Sequence, residues 1–220
     1  TRKQQVMQRI PDAQILYFDP SVTYLAPLKD PSAKAKLKAW KQEEEEVQTG
    51  LTVYALPPVL PFFNRFRWIN KLNQKRMARY IRKRMAQHGM EKPLLWVYSP
   101  VTVDCVDRVP HSALVYDCVD RHSAYGGQMN PKLVDAMELE LAGKCDQVFA
   151  TAESLARRLE AVNDHTAFIP NGANFERFVE ASWGLPCPMD MQSIPKPIFG
   201  FVGALQSCIE YGFLETAAEA

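Results

Sequence analysis

An α/β fold is what this 220-residue chain predicts, on three observations. Short apolar runs bounded by turn residues alternate with segments whose apolar side chains recur at helical spacing. Helix-start signals follow those runs in the right order, with Asn130-Pro131 and Thr151-Ala152-Glu153 as the clearest cases. The stretch Phe168-Ile169-Pro170-Asn171-Gly172-Ala173-Asn174-Phe175, with Phe178 following, combines a strand end, a tight turn and a helix start.

Taken in order, Arg2 to Ile10 reads as a helix leading into a strand around Ile15 to Phe18. Lys34, Lys36, Lys38 and Lys41 followed by Glu43 to Glu46 read as an exposed charged helix or loop. Phe62 to Arg84 carries nine basic residues and no acid, and Ile69, Leu72, Met77, Ile81 and Met85 are spaced to pack inward as one helical face. A helix is expected after Pro100, and a strand over Ala113 to Tyr116. Asn130 caps and Pro131 opens a helix whose Leu133, Val134, Met137 and Leu141 share a face. Asp146 to Ala150 reads as a buried strand entering a helix, with Thr151 as N-cap, Glu153 at the positive end of the dipole, and Leu155, Leu159 and Val162 at helical spacing. Phe168 and Ile169 end the next apolar run; Asn171-Gly172 tolerates positive φ, and Asn174 is placed to cap the following turn. Taken alone, Asn171-Gly172 also fits a β-hairpin turn. The Pro-rich segment from Trp183 to Pro197 reads as a linker, Ile198 to Val202 as a strand closing on Gly203, and Phe213 to Ala218 as a helix.

Composition narrows the class without naming an activity. A hydrophobic fraction of 47% is enough to bury a core, and a net charge of +1 argues against a dedicated nucleic-acid binder. Five cysteines, Cys105, Cys118, Cys145, Cys187 and Cys208, form no Cys-x-x-Cys pair, so neither a disulfide framework nor a zinc site is expected and reduced cytoplasmic thiols are. No run reaches the roughly 20 apolar residues of a membrane span.

The block from Asn130 to Phe178 resembles the end of the N-terminal domain in glycosyltransferases of the two-Rossmann (GT-B) architecture, family 4-like, where a strand, a Ser/Thr-helix unit and Ile-Pro-Asn-Gly-Val-Asp followed by Phe recur. Here Ala173 and Asn174 stand for Val and Asp, and the second change keeps the capping chemistry. The likeness extends over most of the chain through Ile15 to Pro20, Leu56-Pro57-Pro58, Leu95 to Pro100, Val115 to Asp120 and Ile198 to Ala204, and is nearest to bacterial exopolysaccharide and teichuronic-acid type enzymes. The resemblance implies a Rossmann-like parallel sheet in residues 1–182 on the acceptor side, a linker over 183–197 and the start of a Rossmann-like donor-binding domain over 198–220. It implies further that the family's first strand is missing, that the chain is a fragment, and that this fragment alone is inactive. The implied reaction moves a sugar from a nucleotide-sugar to a surface-polysaccharide or lipid-linked acceptor, in the cytoplasm at the inner membrane face, without a cofactor or metal.

Candidate chemistry follows the strand at Ala113 to Tyr116, because α/β sheets place ligands at the carboxyl ends of strands. Asp120 is the expected catalytic group, His122 a donor or acceptor contact and Asp117 an orienting residue, while Gly126-Gly127 allows close approach of a sugar. The alternative is that Asp117 and Asp120 cap the following turn. Gly203 and Ala204, with Asn171 and Gly172, stand for the donor site; a glycine needed only for strand-helix packing fits Gly203 as well. Ile209-Glu210 appears where the family often has Ile-Asp, and the family's carboxylate pair spaced by seven is absent. Arg65, Arg67, Trp68, Lys71 and Arg76 are the acceptor or membrane candidates, since cations interleaved with aromatics suit an anionic lipid surface; a solvated basic helix is the alternative, and no nucleic acid is expected. Asp104 to Arg108 repeats the letters of Asp117 to Arg121, which is read as coincidence, and neither copy is an Asp-x-Asp metal motif. A non-catalytic Rossmann-like module binding an acceptor, a membrane or a partner competes with the transferase reading, and a nucleotide-sugar epimerase is a weaker third.

Overall fold

Two sheets, one mixed and one all parallel, organise the computed structural model, which describes residues 2–41, 45–125, 129–198, 200–203 and 209–219. The chain divides into two compact units, Thr1–Gly172 and Ala173–Ala220.

In the first unit, α1 (Arg2–Met7) leads to β1 (Ile15–Asp19), followed by the short helices α2 (Ala26–Lys29) and α3 (Ala33–Ala39). β2 (Glu45–Gln48) and β3 (Leu51–Ala55) then form a hairpin. β3 pairs in parallel with β1 from Ile15↔Leu51 to Asp19↔Ala55, giving the order β1-β3-β2. Gly50, at φ 83°, turns the hairpin; a Cβ there would sit 2.8 Å from the Ala13 carbonyl oxygen, and the Gly50 carbonyl accepts from Ile15 N at 2.7 Å. The hairpin was not foreseen from sequence: its Glu45-Glu46-Val47-Gln48 strand is too polar to show a buried run, and the expected charged loop is partly this strand. Gln42, Glu43 and Glu44 lie outside the described residues.

The second sheet is α/β in the expected sense. β4 (Leu94–Val97), β5 (Ala113–Cys118), β6 (Gln147–Ala150) and β7 (Thr166–Phe168) lie side by side in chain order, all parallel, in a Rossmann-like arrangement. Parallel neighbours need crossovers. A 3₁₀ turn at Pro100–Thr102 with α5 (Val103–Val106) links β4 to β5, α6 (Pro131–Lys144) links β5 to β6, and α7 (Glu153–Glu160) links β6 to β7. β5 is covered on both faces, so Leu114 to Cys118 form an unbroken buried run. Tyr116, Cys118, Met137, Leu141, Val148 and Leu159 make the centre of the core with Val103, Val106 and Val134. Each large apolar side chain taken fully out of water there contributes about 1.5–3 kcal/mol.

The helix starts follow the sequence at α6, where Asn130 Oδ1 accepts from Leu133 N at 3.3 Å. They depart from it at α7. The N-cap is Ala152 with no side-chain bond, and Thr151 Oγ1 instead donates to the Val119 carbonyl at 2.8 Å, because the backbone of Thr151 is still held by the Cys118 carbonyl at the sheet edge. Val162 falls beyond the last turn and is exposed rather than packed.

α4 (Arg67–Gln87) is the long basic helix. Ile69, Met77 and Met85 are buried as expected, but Leu72 is 52% exposed. Part of its place in the buried face is taken by amides. Asn70, fully buried, donates from Nδ2 to the Val101 carbonyl and to Asp104 Oδ2, both at 2.8 Å, and Asn73 both accepts from Leu60 N and donates to Leu60 O. Arg84 lies over the rings of Tyr54 and Tyr80, 4.6 and 5.1 Å from their centroids, and joins the aromatic contacts of Phe18, Tyr54 and Trp40 behind the first sheet.

The second unit contains α8 (Phe175–Ser182), a 3₁₀ turn at Met189–Met191 and α9 (Tyr211–Glu219). Asn174 caps α8 as expected, accepting from Arg177 N at 3.1 Å. Neither Asn171 nor Gly172 adopts positive φ, so the freedom of that pair is not used for a left-handed turn. The strand expected at Ile198 to Val202 is not formed among the described residues, and Phe201 and Val202 are exposed, with no neighbouring strand in this unit to pair with. The helix expected at Phe213 to Ala218 is present within α9.

Asn70→Ala removes a buried donor shared by the Val101 carbonyl and Asp104 Oδ2, taking that bond from each under α4 while Asp104 keeps its pair with Arg67. We expect a loss of about 2–3 kcal/mol in unfolding free energy by urea titration; a loss below about 0.5 kcal/mol would contradict the assigned role.

Candidate functional site

The carboxyl end of β5 carries the candidate chemistry, and the strand is two residues longer than expected, so Asp117 and Cys118 lie within it. Asp117 therefore does not reach into the loop. Its side chain is fully buried and faces the Arg2 guanidinium, whose Nε lies 3.3 and 3.2 Å from the two carboxylate oxygens. Arg2 Nη1 also donates to the Pro170 carbonyl at 3.3 Å, so α1 ties the end of β5 to the residues after β7. Beside it the Lys3 ammonium stands 4.9 Å from the ring centroid of Tyr98, whose hydroxyl is pushed up in pKa by burial and by the nearby Asp117 and Tyr17.

Beyond β5 the chain turns through Val119 and Asp120 into a 3₁₀ turn at His122–Ala124. Asp120 is exposed, and Tyr125 donates its hydroxyl to Asp120 Oδ2 at 2.8 Å, which fixes the orientation of the carboxylate. The same contact pushes the Tyr125 hydroxyl pKa up to about 12, after burial as the larger cause. His122 is half-buried; its Nδ1 lies 3.1 Å from the Asp120 carbonyl oxygen and its ring meets that of Tyr125 edge-on at 5.7 Å. Thus Asp120, His122 and Tyr125 come together, whereas Asp117 sits behind them. Gly126 and Gly127 lie outside the described residues.

Beneath this turn is a group that the sequence reading missed. Glu138, on α6 and 1% exposed, accepts from Tyr116 Oη at 2.7 Å and from Cys118 Sγ at 3.7 Å, and pairs with Arg158 of α7. His122 Nδ1 is 4.0 Å from Glu138 Oε1. Arg158 also binds Asp135 at 2.6 Å, and Arg121 approaches the other oxygen of Asp135 at 3.6 Å. The signal available was a Glu at the apolar position one turn after Val134 on the buried face of α6, a placement that a solvated carboxylate would not occupy.

The His122 imidazole is lowered in pKa, first by burial, against the opposing pull of Glu138 and Asp120. The buried thiols of Cys105, Cys118 and Cys145 are pushed up to about 12, which makes them poor nucleophiles. Among the described residues no three His, Cys, Asp or Glu side chains are grouped to hold a metal.

The other candidates are dispersed. Asn171 and Gly172 are exposed after β7 in the first unit; Gly203 belongs to the second unit, and Ala204 lies outside the described residues. On α4, Arg67 is not free: it binds Asp104 at 3.0 Å and Glu140 at 2.7 Å, which raises its pKa further. Arg76 donates to Tyr24 Oη at 2.7 Å and to the Pro58 carbonyl at 3.1 Å, with its guanidinium over Trp40. Arg65, Trp68 and Lys71 remain exposed, Trp68 at 63%, near the exposed rings of Phe62 and Phe66. The repeated Asp104 lies in α5, where it joins Arg67 to Asn70. Among the described residues no helix is long and apolar enough to cross a membrane.

No protein-family profile matches the chain, and no curated protein matches it. Among solved structures, a sucrose-phosphate synthase from Thermosynechococcus elongatus is similar over 77% of this chain and 94% of that one, at 11% identity and a TM-score of 0.44. A likeness that distant carries no functional assignment, which rests instead on the geometry at the end of β5.

The lowered pKa of His122 gives a sign to the pH dependence. With the folded value below the unfolded one of about 6.5, the unfolded chain takes up the proton first as pH falls, so the stability held above about pH 6.5 is lost on acidification. Urea midpoints measured at about pH 7.5 and about pH 5.5 are expected to differ less in His122→Gln than in the parent; equal differences would contradict the burial of the imidazole.

Proposed function

We propose that this chain is the acceptor-side part of a GT-B glycosyltransferase that moves a sugar from a nucleotide-sugar to a surface-polysaccharide or lipid-linked acceptor. The observation that carries the reading is Asp120, an exposed carboxylate at the mouth of the central parallel strand, aimed by Tyr125 and backed by His122. The motif resemblance around Ile169-Pro170-Asn171-Gly172 supports it independently.

Sugar transfer with inversion needs a base for the acceptor hydroxyl proton, and an oriented carboxylate meets that need. Asp120 Oδ1 is the oxygen not engaged by Tyr125 and is the atom that would accept the proton. A neutral His122 whose Nδ1–H donates to the Asp120 carbonyl keeps Nε2 as an acceptor for one sugar hydroxyl. In a retaining enzyme the same two side chains would hold the sugar and its leaving phosphate while the donor domain supplied the remaining contacts. Asp117 acts through Arg2 as a positioning residue for the strand end. The proposed chemistry invokes neither a metal nor a cofactor.

The exposed Arg65, Phe66, Trp68 and Lys71 at the start of α4 suit contact with an anionic membrane surface, where a lipid-linked acceptor would be met. Arg67 and Arg76 are engaged within the fold and contribute mainly to holding that helix in place.

Asp120→Asn should lower sugar transfer by the full-length protein by about 10²–10⁴-fold with its melting temperature unchanged, and Tyr125→Phe by less. The assay is radiolabelled sugar incorporation from nucleotide-sugar donors into a membrane or polysaccharide fraction. Unchanged turnover in Asp120→Asn would remove this residue from the site.

A further inference from the structure

A concavity of the first unit lies at the other end of the sheet. A cleft of about 660 Å³ lies between α4 and the turn from Asp107 to His111, which precedes the start of β5. It is separated from Asp120 by the six-residue length of β5, about 20 Å. Lys75, Arg79 and Arg82 stand on one flank of α4 at helical spacing, and Ala78, buried and short, leaves room between them. Arg108 and His111 form the facing wall over a floor of Val109 and Pro110.

The charge of this cleft is uncompensated. Among the described residues no carboxylate pairs with Lys75, Arg79, Arg82 or Arg108. The one acid in the lining, Asp107, is taken by Lys144. Like charges at adjacent turns of a helix destabilise it, and here they are kept together facing a hollow rather than dispersed. A hollow lined by one sign of charge concentrates counter-ions. Arg108 is steadied by its Nε donating to the Asp104 carbonyl at 3.2 Å, which leaves its terminal nitrogens for another acceptor. Guanidinium forks from two walls match the oxygens of a phosphate better than a single carboxylate.

We infer that this cleft binds a diphosphate group, as a free anion or as the headgroup of a lipid. The site is separate from the chemistry assigned to Asp120 and stands if that assignment fails.

The test is calorimetric titration of inorganic pyrophosphate into the chain, repeated with vesicles of phosphatidylcholine containing a lipid diphosphate. Saturable binding is expected, weakened about tenfold or more by Arg79→Gln with Arg82→Gln, since each lost charge-assisted bond is a large share of a small-anion affinity. Lys132→Gln with Arg157→Gln, the same charge change on exposed positions of α6 and α7, should leave it unaltered. Binding of pyrophosphate alone assigns the cleft to a free anion, and binding of the vesicles alone to a lipid headgroup. The inference is overturned if neither binds, if both double variants weaken binding equally, or if an oligonucleotide displaces pyrophosphate at equal phosphate concentration.

Discussion

The buried carboxylate of Glu138 is the constraint around which the second sheet and the turn after β5 are arranged. A charge removed from water is tolerated only with partners, and three elements supply them: Tyr116 and Cys118 from β5, Arg158 from α7 and the nearby ring of His122. Because those bonds converge on one side chain of α6, the register of α6 against β5 and the angle of α7 are specified together. The His122 turn is laid over the same group, so the exposed face of Asp120 is set by a buried interaction rather than by loop chemistry alone. Removing Arg158 would leave the Glu138 carboxylate in the interior without its ion pair, which costs far more than an exposed ion pair contributes.

A second device of the same kind works at the sheet edge. Asp117 lies inside a strand otherwise made of apolar residues, and Arg2 reaches it from the preceding α1 while also holding the Pro170 carbonyl. The long basic helix is likewise docked by polar side chains, with Arg67, Asn70 and Asp104 forming one linked group. Its cations therefore divide into those that hold the fold, such as Arg67, Arg76 and Arg84, and those left facing water, such as Lys71, Lys75, Arg79 and Arg82. That division explains how a segment without a single acid can be both a structural helix and a charged surface.

Much of the second sheet was legible in the sequence because its strands are buried on both faces and its helix starts use side-chain chemistry that acts locally. Asn130 and Asn174 cap where they should, since the cap needs only its own turn. Thr151 does not, because the neighbouring strand end competes for its hydroxyl. β2 and β3 were missed where a polar strand and a single glycine carry the hairpin, and no strand forms among the described residues of Ile198 to Val202, since strand pairing is set by tertiary neighbours. The placement of Asp120 and His122 beyond the end of β5 could be read from their position after an apolar run. Glu138, Tyr125 and Arg2 could not, as their roles arise from contacts between residues far apart in the chain.

The central claim is that the turn after β5 is where a sugar substrate meets the protein. Histidine-selective NMR of the full-length protein tests it directly, because His88, His111, His122 and His165 are spread over the first unit. On addition of nucleotide-sugars with a membrane-derived acceptor fraction, the account predicts movement of the His122 resonances with those of His88 and His165 unmoved. Movement at His88 or His165 with His122 unchanged would contradict it.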